Sequence, residues 1–313
     1  MTSRAAQKPG SVRIGYRPPH ELFQTVDVLA ATVARAEALG IDRVCVGDHV
    51  SFRGGLGFDG LVQSTAVAML SSRLTVQTAV YLLALRHPVP VARQVASLAA
   101  LAPGRFVFGV GAGGDDRAEV ELCGVDPTTR GRRMDEALSI VRALLAGDEV
   151  TFEGEFFRVD RGRIRPSPPV PVPIVVGGRS SAALARTARL GDGWLALWLS
   201  PERYAQSTAE VEEQAAAVGR TGVAWQHGLH AWCGIGPDRE SARPLVAAAM
   251  EALYRVPFER FERWVPCGTP DDLATELAAY VDAGCRDINL IPVAADSDEA
   301  VEGVSAVRRL LNA

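Results

Sequence analysis

The chain alternates between short apolar runs and longer segments in which apolar residues recur at helical spacing. Uninterrupted apolar runs of four to eight residues are typical of strands buried on both faces, and helical spacing is typical of helices with one buried face. The pattern predicts strands at 12–16, 43–47, 74–80, 106–110, 174–176, 193–197, 225–234 and 287–292. Helices are predicted at 22–39, 57–71, 89–101, 134–146, in a segment ending near 190, and at 202–218, 239–253, 271–283 and 299–311.

The alternation breaks once, between the fourth and fifth predicted strands. Val150–Asp160 predicts a hairpin that turns at Glu153-Gly154, and a proline-rich extended segment follows it. Elsewhere each strand is usually followed by a helix, which predicts an α/β fold, a single (β/α)8 TIM barrel over residues 12–313 with this one insertion. A doubly wound sheet is the alternative fold, and residues 1–11 are expected to form a flexible tail.

Composition and charge narrow the class of protein. A length of 313 residues suits one barrel, and a net charge of −4 gives no basic surface for nucleic acid or an anionic membrane. The 5 cysteines are scattered without a CxxC pair, which favours neither a zinc site nor a disulfide framework and indicates a reducing compartment, hence the cytoplasm. The tail lacks the apolar core of a signal peptide, and no apolar run is long enough for a membrane span.

Candidate acid–base chemistry lies directly after the second strand, at Asp48-His49. Histidine is the side chain best suited to exchange protons near neutral pH, and a preceding carboxylate can hold the ring in place. We therefore predict a catalytic role for His49. The alternative is that Asp48 caps the loop and His49 is a half-exposed polar residue.

A glycine-rich turn follows the fourth strand, at Gly109, Gly111, Gly113 and Gly114. Its spacing fits the dinucleotide fingerprint poorly, and the following Asp115-Asp116 would repel a phosphate. Close approach of the backbone to a flat ring is the interpretation that fits best.

A second turn, after the fifth predicted strand, is the better phosphate site. It comprises Val176, Gly177, Gly178 and Arg179, and Ser180 or Ser181 opens the next helix. The first N–H groups of a helix have no internal partner, and together with the helix dipole and an arginine they suit a phosphate. A capped helix after a tight turn is the alternative.

The ordered set of motifs resembles the bacterial luciferase-like monooxygenase superfamily over residues 12–311. The motifs are Gly40–His49, Leu85–Pro88, Gly109–Gly113, Arg130–Glu136, Phe152–Phe157, Val175–Gly178, Leu190–Trp194 and Cys267–Asp272. Within that superfamily the chain looks most like the actinobacterial oxidoreductases that use the deazaflavin coenzyme F420. Lys8 is the only lysine, and this arginine bias agrees with the high-GC genomes in which that coenzyme is typical.

The resemblance implies roles for particular residues. It places His49 beside the deazaflavin ring for proton handling, Asp48 in contact with the ring, and a non-proline cis peptide at Ala79-Val80 behind it. Some cofactor contacts are implied by the resemblance and others are suggested by the two glycine turns. Together they are Asp48, Ala79, Val80, Gly111, Ala112, Gly113, Val176, Gly177, Gly178 and Arg179. The resemblance also implies a small-molecule substrate and a homodimer.

The chain departs from the family's sugar-phosphate dehydrogenases at one position. Those enzymes have a catalytic glutamate directly after the first glycine turn, where this chain has Gly114. The departure argues against glucose-6-phosphate as the substrate and makes Asp115 the candidate acid.

The predicted function is hydride transfer between F420 and an unknown small organic substrate. A monooxygenase that uses reduced FMN on the same barrel is one alternative, and a barrel that binds a flavin without turnover is another. No metal is predicted, because His227 and His230 have no third ligand at metal spacing. The common hydrolase and NTPase motifs are missing from the sequence.

Overall fold

The computed structural model describes residues 10–113 and 116–313. The predicted flexible tail therefore lies, for residues 1–9, outside the described residues. The strands are β1 (Arg13–Tyr16), β2 (Arg43–Val46), β3 (Thr75–Thr78), β4 (Tyr81–Leu82), β5 (Phe106–Gly111), β6 (Val150–Glu153), β7 (Arg158–Gly162), β8 (Ile174–Gly177), β9 (Gly193–Ala196), β10 (Gly228–Ile235), β11 (Cys267–Gly268) and β12 (Asp287–Val293).

The helices are α1 (Val26–Ala38), α2 (Gly60–Leu70), α3 (Pro88–Leu101), α4 (Arg117–Leu122), α5 (Arg130–Ala146), α6 (Ser181–Leu190), α7 (Pro201–Ala217), α8 (Arg239–Tyr254), α9 (Pro270–Asp282) and α10 (Ser297–Leu310). Short 3-10 helices lie at His20–Phe23, Leu83–Leu85, Phe258–Arg260 and Glu262–Trp264. Within the described part of the chain, none of the helices combines the length and the hydrophobicity that crossing a membrane requires.

The main sheet has the strand order β11-β10-β12-β1-β2-β3-β5-β8-β9, and β4 pairs with β5. The recorded pairs of this sheet are parallel, and helices connect successive strands. The predicted (β/α)8 barrel is thereby confirmed. The strands β6 and β7 form a separate antiparallel hairpin, which is the predicted insertion.

The boundaries differ from the prediction where local contacts interrupt the apolar pattern. The predicted helix 22–39 splits in two, because the side chain of Thr25 accepts a hydrogen bond from the N–H of Val28 and so starts α1 at Val26. The predicted strand 74–80 ends at Thr78, before a cis peptide bond between Ala79 and Val80. The pattern also missed α4 and β11, which are too short to show a period.

The chain forms two compact units. The first comprises the described residues up to Cys45 together with Ala196–Ala209 and Gln226–Ala313. Its sheet is centred on β12, which pairs in parallel with β1 and with β10. Asp287 on β12 is buried between the guanidinium groups of Arg13 and Arg43. Burial by itself would raise the pKa of Asp287, but the charges of these two arginines hold it below its usual value.

The second unit comprises Val46–Leu195 and Glu210–Trp225. It contains β3, β5 and β8, which are neighbours in the sheet and end at Thr78, Gly111 and Gly177. Since the strands are parallel, these three carboxyl ends lie at one edge, where barrels of this class carry their ligand sites.

Candidate active site

His49 is held by a carboxylate from a distant part of the sequence. It lies in the loop after β2, and its Nδ1 is 3.1 Å from Oε2 of Glu119 on α4. The Glu119 side chain is 4% exposed and that of His49 is 32% exposed. Because Glu119 occupies Nδ1, Nε2 is the ring nitrogen left to exchange a proton with a ligand.

The position of Glu119 is fixed by backbone groups of the same loop. Its Oε1 accepts hydrogen bonds from the N–H groups of Val50 at 2.7 Å and Ser51 at 3.0 Å. Asp116 makes a second connection, since it caps α4 and also accepts a hydrogen bond from the N–H of Arg53 at 2.6 Å. The loop after β2 is therefore joined to the first turn of α4 at two points. Sequence reasoning missed Glu119, and the only signal was an acidic side chain in the segment after β5.

Asp48 does not orient His49, which corrects the sequence-based interpretation. Its Oδ1 accepts a hydrogen bond from the N–H of Gly60 at 2.8 Å, and its Oδ2 accepts one from Leu82 at 2.8 Å. Arg86 binds both oxygens, at 2.9 and 2.7 Å. Burial raises the pKa of Asp48, and Arg86 and the two N–H donors oppose that rise.

The Asp48 side chain is 0% exposed, so its carboxylate offers no surface to a ring. It connects the end of β2 to the start of α2 and to β4. This places it next to the Ala79-Val80 segment, because Leu82 lies two residues beyond Val80. Asp48 therefore positions this part of the site, and the direct cofactor contact predicted for it stays a prediction.

The Ala79-Val80 segment forms a partly exposed apolar surface at the carboxyl end of β3. The peptide bond between the two residues is cis, as the family resemblance implies. The N–H of Ala79 donates to the carbonyl of Val46 at 2.7 Å, and both side chains pack against the buried cluster of Val107, Val175 and Leu195. The segment is thus an apolar bulge supported from behind by the core.

Two glycines make room for the Val80 side chain. A Cβ atom on Gly111 would lie 2.4 Å from Cγ2 of Val80, and one on Gly177 would lie 3.0 Å from Cγ1. The sequence-based interpretation was that Gly111 lets the backbone approach a flat ring. In the structure it is a valine side chain that needs this space. Val80, Gly111 and Gly177 therefore form one continuous surface across three neighbouring strand ends.

The described part of the first glycine turn ends at Gly113. Ala112 is partly exposed, and Gly113 is exposed with a φ of +70°, a conformation that favours glycine. Gly114 and the predicted acid Asp115 lie outside the described residues, so their predicted roles stay predictions.

The second glycine turn connects β8 to α6 and has two fixed points. Gly178 has a φ of +121°, and its carbonyl accepts a hydrogen bond from Nε1 of Trp194 at 2.7 Å. Ser180 caps α6 by accepting a hydrogen bond from the N–H of Ala183 at 3.2 Å. Of the two serines that the sequence left open, Ser180 is therefore the cap.

The surroundings of this turn fit an anionic ligand. Val176 is buried below it, Gly177 is partly exposed, and Gly178 and Arg179 are exposed at the start of α6. The first N–H groups and the positive end of the helix dipole lie at the same place. Trp194 is 1% exposed, so it supports the turn from the core and does not form a pocket wall.

Trp198, the other tryptophan considered from the sequence, belongs to the first unit. Its ring lies 4.6 Å from that of Phe261 and 5.1 Å from that of Tyr254. These rings pack against the buried cluster around Trp232 and Phe258. Across residues 10–113 and 116–313, no group of three or more His, Cys, Asp or Glu residues is arranged to hold a metal ion.

Comparison with known sequences identifies relatives over most of the chain. The family model described as luciferase-like monooxygenase matches residues 7–287. An F420-dependent glucose-6-phosphate dehydrogenase of Beutenbergia cavernae is 31% identical over 300 residues, which are 87% of this chain and 89% of the relative. An uncharacterised protein of Mycobacterium tuberculosis is 38% identical over 160 residues, 51% of this chain. The match spans about half the length of that relative, 55%.

Solved structures share the fold. An F420-dependent secondary alcohol dehydrogenase in complex with an F420–acetone adduct superimposes with a TM-score of 0.83 at 21% identity, covering 96% of this chain and 98% of the other. The oxygenating constituent of 3,6-diketocamphane monooxygenase from Pseudomonas putida, in complex with FMN, gives a TM-score of 0.77 at 16% identity, covering 96% and 98%. Together with the family-model match over residues 7–287, these findings establish that the chain belongs to the luciferase-like monooxygenase family.

Proposed function

We propose that the protein is an F420-dependent oxidoreductase that transfers hydride between the deazaflavin and a small organic substrate. The observation that carries the proposal is the pairing of two features within one unit, an apolar strand-end surface and a carboxylate-held histidine. The surface centres on Val80, and His49 follows Asp48, whose carboxylate binds the N–H of Leu82 just beyond that surface. The identity to an F420-dependent dehydrogenase over 87% of the chain supports the same cofactor.

The residues present fit such a cofactor. A flat ring needs an apolar face, and Ala79, Val80 and Ala112 are partly exposed apolar residues at the carboxyl ends of β3 and β5. A phosphate-bearing tail needs donors and positive charge, which Arg179 and the amino-terminal end of α6 supply. We assign Gly111 and Gly177 to shaping the ring surface, and Gly113, Val176 and Gly178 to the two turns.

In this proposal the residues of the site have separate roles. F420 supplies hydride chemistry at a ring carbon when bound. His49 exchanges the accompanying proton at Nε2, while Glu119 holds Nδ1 and so fixes the direction of the ring. Asp48 and Arg86 hold the loop after β2 and the apolar bulge at Ala79-Val80 in fixed positions relative to each other. Asp115 stays the candidate acid of the proposal.

The first experiment is a fluorescence titration of the protein with oxidised F420 and, separately, with FMN, following quenching of the tryptophans. We expect F420 to bind about tenfold tighter than FMN or more. Arg179→Gln should weaken F420 binding, while Arg189→Gln, at the exposed far end of the same helix, should not. A preference for FMN, or the same loss in both variants, would contradict the proposal.

The fold relationship to an FMN-bound monooxygenase supports a second candidate function, that of a monooxygenase using reduced FMN. It predicts oxygen consumption with reduced FMN and a suitable substrate. The third candidate, a binding barrel without turnover, predicts tight binding of F420 or FMN with no redox exchange toward any donor or acceptor. A panel of alcohols, aldehydes and organic acids, monitored by F420 absorbance and by an oxygen electrode, separates all three.

The proposal includes a homodimer, as the family resemblance implies, a cytoplasmic location, as the scattered cysteines indicate, and one domain of residues 12–313, as the strand–helix pattern indicates. Sedimentation equilibrium of the purified protein measures the oligomeric state directly. A monomer at all concentrations would remove the dimer from the proposal without affecting the cofactor assignment.

A further inference from the structure

A small cavity lies within the first unit, beside the part of β10 that precedes its pairing with β11. β11 pairs with β10 at Gly234 and Ile235, whereas the cavity borders Leu229–Ala231. Its volume is about 180 Å³, and its other walls come from the loop after β9, the 3-10 helix Glu262–Trp264 and α9. All of these lining segments belong to the first unit.

Much of the lining is aromatic and is held in place by neighbouring side chains. The indole of Trp198 packs against the rings of Tyr254 and Phe261, at 5.1 and 4.6 Å between centroids. The hydroxyl of Tyr280, on α9, donates to the carbonyl of Leu199 at 2.6 Å. Two walls of the cavity are therefore fixed by contacts within the chain, as is typical of pre-formed small-molecule sites.

Two charged side chains of opposite sign line this cavity. The guanidinium of Arg263 lies over the ring of Trp264, 4.0 Å from its centroid, and forms no ion pair within residues 10–113 and 116–313. The carboxylate of Glu276 contacts Nη1 of Arg239 through Oε1 at 3.4 Å, and its Oε2 accepts no hydrogen bond from the described residues. Both groups can therefore bind a further charge.

His230 adds a neutral polar group to the lining. It is 8% exposed, and its Nδ1 has no hydrogen-bond partner among the described residues. Burial, and then the charge of Arg17, lowers its pKa to about 3, so the imidazole carries no charge near neutral pH. A buried polar atom without a partner is costly, and a polar group of a ligand in the cavity would satisfy it.

The charges of the lining decide which class of ligand fits. An anion would pair with Arg263 but bring its charge close to the carboxylate of Glu276, and a cation would meet the reverse arrangement. A ligand with one charge of each sign provides a partner for both side chains. The aromatic walls require that the rest of such a ligand be apolar.

We propose that this cavity binds a hydrophobic α-amino acid in its zwitterionic form. Arg263 binds the carboxylate with its planar guanidinium, and Glu276 binds the ammonium group. The apolar side chain of the ligand packs against the indoles of Trp198 and Trp264. This inference goes beyond the proposed function and does not depend on it, because it uses only residues of the first unit.

The test is isothermal titration calorimetry of the wild-type protein with L-phenylalanine and with L-leucine. Each amino acid is compared with its analogues of single charge, which are 3-phenylpropionate and 2-phenylethylamine for phenylalanine, and 4-methylpentanoate and 3-methylbutylamine for leucine. We expect at least one amino acid to bind at one site per chain, about fivefold tighter than either of its analogues or more.

Variants of the two charged residues should give a crossed pattern. Arg263→Gln is expected to weaken binding of the amino acid and of the carboxylate analogue by about fivefold or more, and to change binding of the amine by about twofold at most. Glu276→Gln should weaken the amino acid and the amine and spare the carboxylate. Arg260→Gln and Asp282→Asn remove the same charges from exposed residues outside the lining, and should change each affinity by about twofold at most.

The buried histidine reports the location of binding. The chain has 5 histidines, and loss of one NMR signal in His230→Gln identifies the His230 signal in histidine-labelled wild-type protein. We expect that signal to shift with the amino acid and to saturate at the calorimetric affinity.

Four results would overturn the inference. They are no saturable binding of either amino acid, equal affinity for an amino acid and its analogues, equal weakening in the lining and control variants, and an unresponsive His230 signal at saturation. The wild-type titrations do not depend on whether any variant folds. Titration of the same samples with F420 tests the proposed function separately, so either proposal can fail while the other stands.

Discussion

Two histidines of this protein have opposite electrostatic surroundings. His49 is partly exposed and its Nδ1 is 3.1 Å from a buried carboxylate, that of Glu119. His230 is buried, has no partner at Nδ1 in the described chain, and faces the positive charge of Arg17. The first arrangement suits proton exchange, and the second suits a neutral hydrogen-bond donor. The charge of the neighbouring side chain, rather than the residue type, decides which task a histidine can perform.

The largest effect on turnover should come from removing His49, the histidine whose surroundings suit proton exchange. His49→Ala is expected to lower turnover by about 10²–10⁴-fold, the usual contribution of a general acid–base group. F420 binding should stay within about tenfold of the wild type, because the apolar surface at Val80 is unchanged. Stopped-flow absorbance of F420 measures the turnover, and His20→Ala, at an exposed histidine, is the control. Unchanged turnover in His49→Ala would remove this residue from the mechanism.

Removing the partner of His49 should have a smaller effect. Glu119→Gln keeps the shape of the side chain but loses the charged hydrogen bond to Nδ1, so we expect about a 10–100-fold loss of kcat. The pH dependence of kcat/KM should also change, which a purely structural role would not produce. Glu121→Gln on the same helix is the control, since Glu121 is exposed and pairs with Arg117. An unaltered pH profile in Glu119→Gln would contradict the positioning role.

The apolar side of the site can be tested through stability. A Cβ on Gly111 would lie 2.4 Å from Val80, so Gly111→Ala must displace the bulge and should lower the free energy of unfolding by about 1–3 kcal/mol. Gly131→Ala is the control, because the nearest atom to its added Cβ is 3.8 Å away and α5 favours alanine there. Urea unfolding of both variants provides the measurement. Equal stability of the two would mean that Val80 can move at no cost.

The smallest effect is a pH dependence of stability to which the buried His230 should contribute. Burial, and then the charge of Arg17, lowers the pKa of His230 to about 3 in the folded protein, whereas it is near 6.5 in an unfolded chain. The unfolded chain therefore binds a proton first as the pH falls. The stability that depends on neutral His230 is complete above about pH 6.5 and decreases by about 1.4 kcal/mol per pH unit below it, until the folded pKa of about 3 is reached.

Urea unfolding at several pH values between 5 and 7.5 measures that slope. We expect His230→Gln to show a shallower loss of stability on acidification than the wild type. The burial of His227, which lowers its pKa to about 4, gives a similar slope that remains in the variant. Parallel curves for the wild type and His230→Gln would contradict the lowered pKa of His230 in the folded protein.

Much of the architecture follows from local patterns. The strands around Val44, Phe108 and Ile288 were predicted within one or two residues, because each is an uninterrupted apolar run. A cap at Ser180 or Ser181 and the turn at Gly178 were likewise predictable, since capping and positive φ have their own residue preferences, and the structure chose Ser180. The cis peptide at Ala79-Val80 was expected from the family resemblance alone, because no local residue preference marks such a bond outside proline.

The site was predictable only in part. The position of His49 directly after a strand marked it as a site residue. The sequence suggested that the carboxylate of the neighbouring Asp48 holds its ring, but the carboxylate that does so belongs to Glu119, 70 residues away in the chain. Gly111 was recognised as a place of close approach, but the approaching group is Val80.

The sequence by itself determined the order of strands and helices, the barrel, and the strand ends at which chemistry-bearing residues gather. These depend on periodicity and turn preferences, which act over a few residues. Only the tertiary structure decided that Glu119 holds His49 and that Val80 fills the space of two glycines. Such contacts join residues far apart in the chain, and their energies depend on burial and distance, which a linear pattern does not contain.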